Sequence, residues 1–330
     1  MKKSLILLAA TALAVSVGSA SAQDKKTLAI VVKGLDNPFF EAINQGCQKW
    51  NSENADSEYT CFYTGPASTS DEAGEAQIVN DMLTRQVSAM AISPSNAPLI
   101  ANTLRQGSPE MPIMTIDADL TVEDAALRST YLGTDNYLMG VKLGEYLKQF
   151  KPGGGTVCFI LGNPGADNIL RRAAGGRDTL AGEKGIEKLT GQGGWTEVDG
   201  CPVFTNDDGP AGVQAMTDIL TANPDIGAFF IAGGWPLFGA PQAYRQLTDQ
   251  YKERIDSNDL VIVAADTIGE EVALIKEGRV HALVGQRPFE MGYKAPTVMI
   301  DLIEGKTVED PLFTGLDECT KETADTCIQK

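Results

Sequence analysis

Short apolar runs alternate with longer stretches of mixed polarity along most of this chain. Thr27–Val32, Tyr59–Tyr63, Ala89–Ser93 and Pro112–Asp117 read as strands. Asn37–Trp50 and Asp71–Arg85 read as helices, the second with Ile78, Val79, Met82 and Leu83 at helical spacing. The pattern then begins again. A strand over Thr156–Leu161 precedes a helix over Asn168–Ala181, and further strands follow at Val203–Thr205, Ala228–Ala232 and Leu260–Ala265. Helices at Val213–Leu220 and Pro241–Tyr251 lie between them. Most of the strands are apolar throughout rather than alternating, as a strand buried on both faces must be. The pattern predicts two α/β units, each a parallel sheet covered by helices, with a first crossing near Tyr131–Asp135.

The start of the chain changes the expected compartment. Lys2 and Lys3 precede an uncharged apolar run, Leu5–Val17, and Ala20-Ser21-Ala22 supply small residues before Gln23. This is a secretory signal over residues 1–22, with cleavage before Gln23. The run is short for a membrane span, and polar Gln23 to Lys26 follow at once. The mature chain is then expected in the periplasm. Its roughly 300 residues suffice for two lobes with separate cores. The formal charge of −17 argues against a nucleic-acid partner.

All six cysteines lie beyond the signal, where disulfides are expected rather than metal sites. Short sequence distance suggests Cys47–Cys61, Cys158–Cys201 and Cys319–Cys327, the last most strongly; buried free thiols are the alternative.

Open α/β sheets bind ligands beyond the carboxyl ends of their strands. The residues there are polar: Lys33, Asp36, Asn37, Ser93, Asp117, Asp119, Asp266 and Gln286. Directly after the first strand comes Asn37-Pro38-Phe39-Phe40. Asn37 can cap a helix whose first position Pro38 takes. Phe39 and Phe40 then sit on the first turn, where a ring could cover the C–H face of a sugar. Ordinary core packing is the competing role.

The segment Val31–Phe40 resembles the opening of the ribose-binding-protein-like group, the type I pentose/hexose solute-binding proteins of ABC transporters. The resemblance continues through Ala91–Pro94, Ile113–Asp117, Leu132–Asn136, Val263–Asp266 and Gly285-Gln286. It implies two Rossmann-like lobes with parallel sheets joined by three crossings. The N-terminal lobe would hold 23–133 and 287–312, and the C-terminal lobe 134–286 and 313–330. Carried over position by position, it implies a ligand site of Lys33, Asn37, Phe39, Phe40, Asp117, Asp266 and Gln286, with the second-lobe guanidinium at Arg171 or Arg172, Arg172 favoured. Carboxylates accept two O–H bonds and guanidinium donates a fork, which suits vicinal hydroxyls. Four positions depart from the family pattern. Ala118 stands where ribose binders carry Arg, Lys33 replaces a small hydroxyl residue, Asp207 stands at an aromatic position, and Gly233–Pro236 replaces an expected Asn. Trp235 could supply the aromatic face lost at Asp207, or could pack between the lobes.

An enzyme is the main rival. His281 is the sole histidine, which removes His-based triads. The loop Gly162–Ala166 lacks phosphate-loop spacing and reads as a turn. A transcriptional repressor of the same fold would need a DNA-binding helical unit where the signal stands. The expected protein is a non-enzymatic, monomeric carrier without cofactor or metal. It would capture a monosaccharide or polyol by lobe closure and deliver it to an ABC permease. A signal-binding module for a chemoreceptor or sensor kinase is the alternative.

Overall fold

The computed structural model describes residues 25–328. The expected signal, residues 1–22, lies outside them. The first lobe runs β1 (Lys26–Val31), α1 (Pro38–Glu53), β2 (Tyr59–Thr64), α2 (Glu72–Thr84), β3 (Ala89–Ile92), α3 (Ala97–Gly107), β4 (Ile113–Ile116) and β5 (Tyr131–Thr134). The chain continues with α4 (Asn136–Phe150), β6 (Gly155–Leu161), α5 (Asp167–Ala181), β7 (Trp195–Glu197), β8 (Val203–Phe204), α6 (Gly209–Ala222) and β9 (Ala228–Ile231). It ends with α7 (Trp235–Phe238), α8 (Pro241–Gln250), α9 (Lys252–Asp256), β10 (Val261–Ala265), α10 (Gly269–Lys276), β11 (Ala282–Gly285), α11 (Pro288–Ile303), β12 (Leu312–Thr314) and β13 (Asp317–Thr320).

Two sheets result. The first has the order β12-β5-β4-β3-β1-β2 and the second β13-β11-β10-β9-β6-β7, with β8 also paired to β6. All pairings are parallel except β13 on β11. The chain therefore passes between sheets after β5, after β11, and between β12 and β13. Phe313 and Thr314 pair with Gly133 and Thr134 in the first sheet, so the third crossing falls after Thr314 rather than after residue 312.

The sandwich explains the continuous apolar strands. In β1, Leu28 and Ile30 enter the layer with Ile43, Trp50 and Met299, while Ala29 and Val31 enter the opposite layer with Val79, Met82 and Ile100. Successive residues point to opposite faces, and both faces are covered. The second lobe repeats this with one layer around Leu143 and Ile169 and another around Met216 and Leu274. Helices α3, α4, α7, α9, α10 and α11 are not among those the sequence pattern predicts. Of these, α11 carries Pro296 in its interior, a residue that reads as a helix breaker.

One helix contact positions the site directly. A Cβ on Gly140 of α4 would stand 2.0 Å from the carbonyl oxygen of Arg172 on α5, and one on Gly175 of α5 would stand 2.1 Å from that of Tyr137. Bare glycines let the two backbones touch, which fixes where Arg172 leaves its helix. The three disulfides are Cys47–Cys61, Cys158–Cys201 and Cys319–Cys327, with Cα separations of 5.7, 5.4 and 5.3 Å. They tie α1 to β2, β6 to the segment before β8, and β13 to the tail.

Candidate functional site

The carboxyl ends of both sheets face a common crevice. Asp117 follows β4 and Asp266 follows β10, both with left-handed backbone, φ 64° and 78°. Each N–H returns to the neighbouring strand, Asp117 to Leu132 O at 3.1 Å and Asp266 to Val284 O at 2.8 Å. Asp is among the residues that tolerate this conformation. Here it turns the chain out of the sheet and leaves both buried carboxylates at the crevice.

On the first-lobe side, Lys33 is 3% exposed. Its Nζ lies 3.7 Å from Asp117 Oδ2 and donates across the crevice to Asn168 Oδ1 at 3.2 Å. Asp117 Oδ2 also accepts from Ser93 Oγ at 2.7 Å. Asn37 caps α1, its Oδ1 accepting from Phe39 N at 2.9 Å, with Pro38 in the first turn as expected. Phe39 and Phe40 meet edge to face, centroids 5.3 Å apart. Both belong to the apolar core and both also line the crevice.

On the second-lobe side, the guanidinium at the crevice is Arg172. Its Nε donates to Asn136 Oδ1 and its Nη1 to Ala232 O, each at 2.8 Å. Arg171 instead pairs with Asp167 on its own helix. Asp207 is left-handed too, with φ 59°. Burial pushes its carboxyl up, against the opposing pull of Lys33 and Arg172. Trp235 opens α7 and is 4% exposed. Asp266 Oδ1 accepts from Gln286 Nε2 at 2.7 Å and its Oδ2 from Gly234 N at 3.2 Å. Gln286 Oε1 accepts from Thr134 Oγ1 at 2.8 Å, linking the first two crossings.

All ten residues expected at the site line one cavity. Asn168, Ile169, Gly233 and Phe238 join them and were missed. Asn168 could have been found, because the crevice rule applies equally to a polar residue in a first helical turn after a strand-end loop; nothing local marks Phe238. Two residues flagged by that rule go elsewhere. Asp36 braces a loop by accepting from Thr69 N and Oγ1, and Asp119 pairs with Arg128. The Gly162–Ala166 loop, expected as a plain turn, touches the first lobe through Ala97 N donating to Gly165 O at 3.0 Å.

The model of the family described as periplasmic binding protein domain matches residues 28–307. The chain belongs to the periplasmic binding protein domain family. Ribose import binding protein RbsB of Salmonella typhimurium is 26% identical over 310 residues, covering 94% of this chain and 95% of that one. The solute-binding protein from Burkholderia graminis, solved with D-arabinose, is 24% identical and superposes with a TM-score of 0.78, covering 93% and 99% of the two chains. That from Agrobacterium vitis, solved with D-fucose, is 22% identical with a TM-score of 0.79, covering 91% and 97%.

In this periplasmic binding protein the shared cavity has about 30 Å³ of free space, room for a water or two. A larger groove of about 480 Å³ adjoins it at Phe39, Asp266 and Gln286 and is walled by Phe289 and Tyr293. The polar groups of both lobes converge on the smaller cavity. His281, by contrast, sits at the amino end of β11, opposite the crevice, where its Nδ1 accepts from Ile262 N at 3.0 Å.

Proposed function

We propose that this protein captures a monosaccharide or related polyol between its lobes and delivers it to an ABC transporter permease. The observation that carries the reading is the convergence of ten side chains from both sheets on one cavity. Carboxylates, guanidinium, amide and aromatic rings are the groups that hydrogen-bond vicinal hydroxyls and cover C–H faces. The import role and bound sugars of the relatives support it. Lys33, Asn37, Phe39, Phe40 and Asp117 would hold the ligand from the first lobe. Arg172, Asp207, Trp235, Asp266 and Gln286 would hold it from the second.

A sugar ring exceeds the free space, so it enters when the walls separate. Contacts from both lobes exist only when they close again, and binding therefore shifts the population toward closure. Closure presents a joint surface to the permease, while a separate subunit hydrolyses ATP. The protein works as a monomer in the periplasm after removal of residues 1–22. It performs no chemistry on its cargo.

A thermal-shift screen of residues 23–330 against pentoses, hexoses, deoxy sugars and polyols tests this. A micromolar binder at millimolar dose stabilises the native form by about 4 kcal/mol. Asp117→Ala and Asp266→Ala should each weaken the stabilising sugar by about 2–5 kcal/mol. No response across the panel, from protein freed of carried-over ligand, would remove the sugar reading.

A further inference from the structure

The second-lobe wall of the cavity holds three buried polar atoms with no hydrogen-bond partner among the described residues: Arg172 Nη2, Trp235 Nε1 and Asp207 Oδ1. Native interiors rarely leave such groups unmet, because each costs its full desolvation. Two other orphaned atoms, Glu75 Oε1 and Glu271 Oε1, belong to residues that do not line the cavity. The three belong to residues that all line the one cavity, on its second-lobe wall.

Glycines make room for this wall. A Cβ on Gly162 would stand 1.7 Å from Asp207 Oδ1 and 3.2 Å from Trp235 Cη2, so the carboxyl and the benzo edge of the indole share one small region. A Cβ on Gly233 would stand 1.7 Å from Trp235 Cζ3, so the indole lies where any side chain at 233 would begin. Packing alone could be served by a ring without an N–H. The indole buried here has its only donor unmet among the described residues.

Ligand chemistry follows from the inventory. Trp and Arg donate only, so Nε1 and Nη2 each require a ligand oxygen. Asp207 Oδ1 is an acceptor as carboxylate and can be a donor as acid. A hydroxyl satisfies it in either form, whereas an ammonium suits only the carboxylate and a carbonyl or ether oxygen only the acid. Resting on the sugar reading of this site, we infer that Trp235 and Asp207 determine specificity by reading hydroxyls on the second-lobe edge of the ligand, Trp235 through its N–H and not its ring alone. Ligands deoxygenated on that edge are rejected.

The test crosses protein and ligand changes. Wild type, Trp235→Phe, Asp207→Asn and Asp207→Leu are titrated calorimetrically with D-ribose, D-allose, D-arabinose and D-fucose, and with each monodeoxy form of those that bind. Trp235→Phe should weaken the parent sugar about 10- to 100-fold. For one monodeoxy analogue, the one lacking the hydroxyl that Nε1 meets, Trp235→Phe and wild type should bind alike. Asp207→Asn should stay within a few-fold of wild type, since an amide also serves a hydroxyl, while Asp207→Leu should lose at least tenfold. Ligand-free Trp235→Phe should melt somewhat below wild type, because it removes buried ring carbons together with the unmet N–H, so its binding is compared across the analogues at a temperature where both proteins are folded. Equal weakening of the parent and every analogue by Trp235→Phe would leave only a packing role and overturn the inference. So would loss of binding in Asp207→Asn as severe as in Asp207→Leu. Failure of wild type to bind any of the sugars would instead remove the reading of the site itself.

Discussion

Asp117 and Asp266 hold equivalent places in the two sheets, each left-handed and just past a strand, yet their charges are met differently. Asp117 has a cation, Lys33, at 3.7 Å. Asp266 has dipoles, the Gln286 amide and the Gly234 N–H. A fully buried glutamate stands behind each half of the site and reports the difference. Burial pushes Glu75 up to about 7, while its bonds from Ser95 and the nearby Lys33 pull it down. Burial raises Glu271 well above the ordinary carboxyl range, and Asp266 raises it further. Asp117 thus rests on a cation, whereas Asp266 rests on neutral donors.

The comparison breaks most decisively at Lys33. Lys33→Met would leave Asp117 buried with Ser93 Oγ as its remaining partner. Removing one member of a buried pair costs about 3–5 kcal/mol. Urea unfolding of ligand-free protein should register that loss, and a loss below about 1 kcal/mol would show that Lys33 does not hold the first-lobe half together.

Glu75 sharpens the same point through pH. Its folded pKa of about 7 lies above the ordinary value of 4.5, so between these limits the native state binds more protons than the unfolded one. Its contribution is favourable at low pH and is lost as pH rises toward 7, by about 3 kcal/mol in all. Glu75→Gln keeps an acceptor for Ser95 and removes the titration. The stability of wild type minus that of the variant should therefore fall between pH 4.5 and 7 and be flat above 8. A difference independent of pH would mean that Glu75 ionises as an exposed carboxyl does.

Much of this arrangement was legible in the sequence because it depends on local pattern. Continuous apolar strands announced sheets covered on both faces, and the residues just past them supplied Lys33, Asn37, Asp117, Asp266 and Gln286. Cysteine proximity in sequence anticipated all three disulfides. What stayed hidden depends on contacts between distant segments. Choosing Arg172 over Arg171 required knowing which face of α5 turns inward, which the α4–α5 contact decides. The bond from Lys33 to Asn168 spans 135 positions, and no local feature announces it. Glu271 stands in the first turn of α10, a place that favours acids on an exposed helix, yet it is buried, with Oε2 accepting from Ile268 N at 2.6 Å.

Asp266→Asn should have the smallest effect on stability, and its size tests whether neutral dipoles carry the second-lobe half. The asparagine oxygen can still accept from Gly234 N–H. Its amide group, however, would face the Gln286 amide donor to donor, so Gln286 must rotate, and Thr134 Oγ1 can follow by reversing its own hydrogen bond. That rearrangement keeps the buried atoms paired, and the expected cost is about 1–2 kcal/mol, that of one imperfect hydrogen bond. The substitution also removes a charge that raises Glu271, so part of the cost should be returned above neutral pH. If Asp266→Asn instead destabilised the protein as much as Lys33→Met, Gly234 and Gln286 would not be the groups that meet the Asp266 charge. The two halves of the site would then be electrostatically alike despite their different partners.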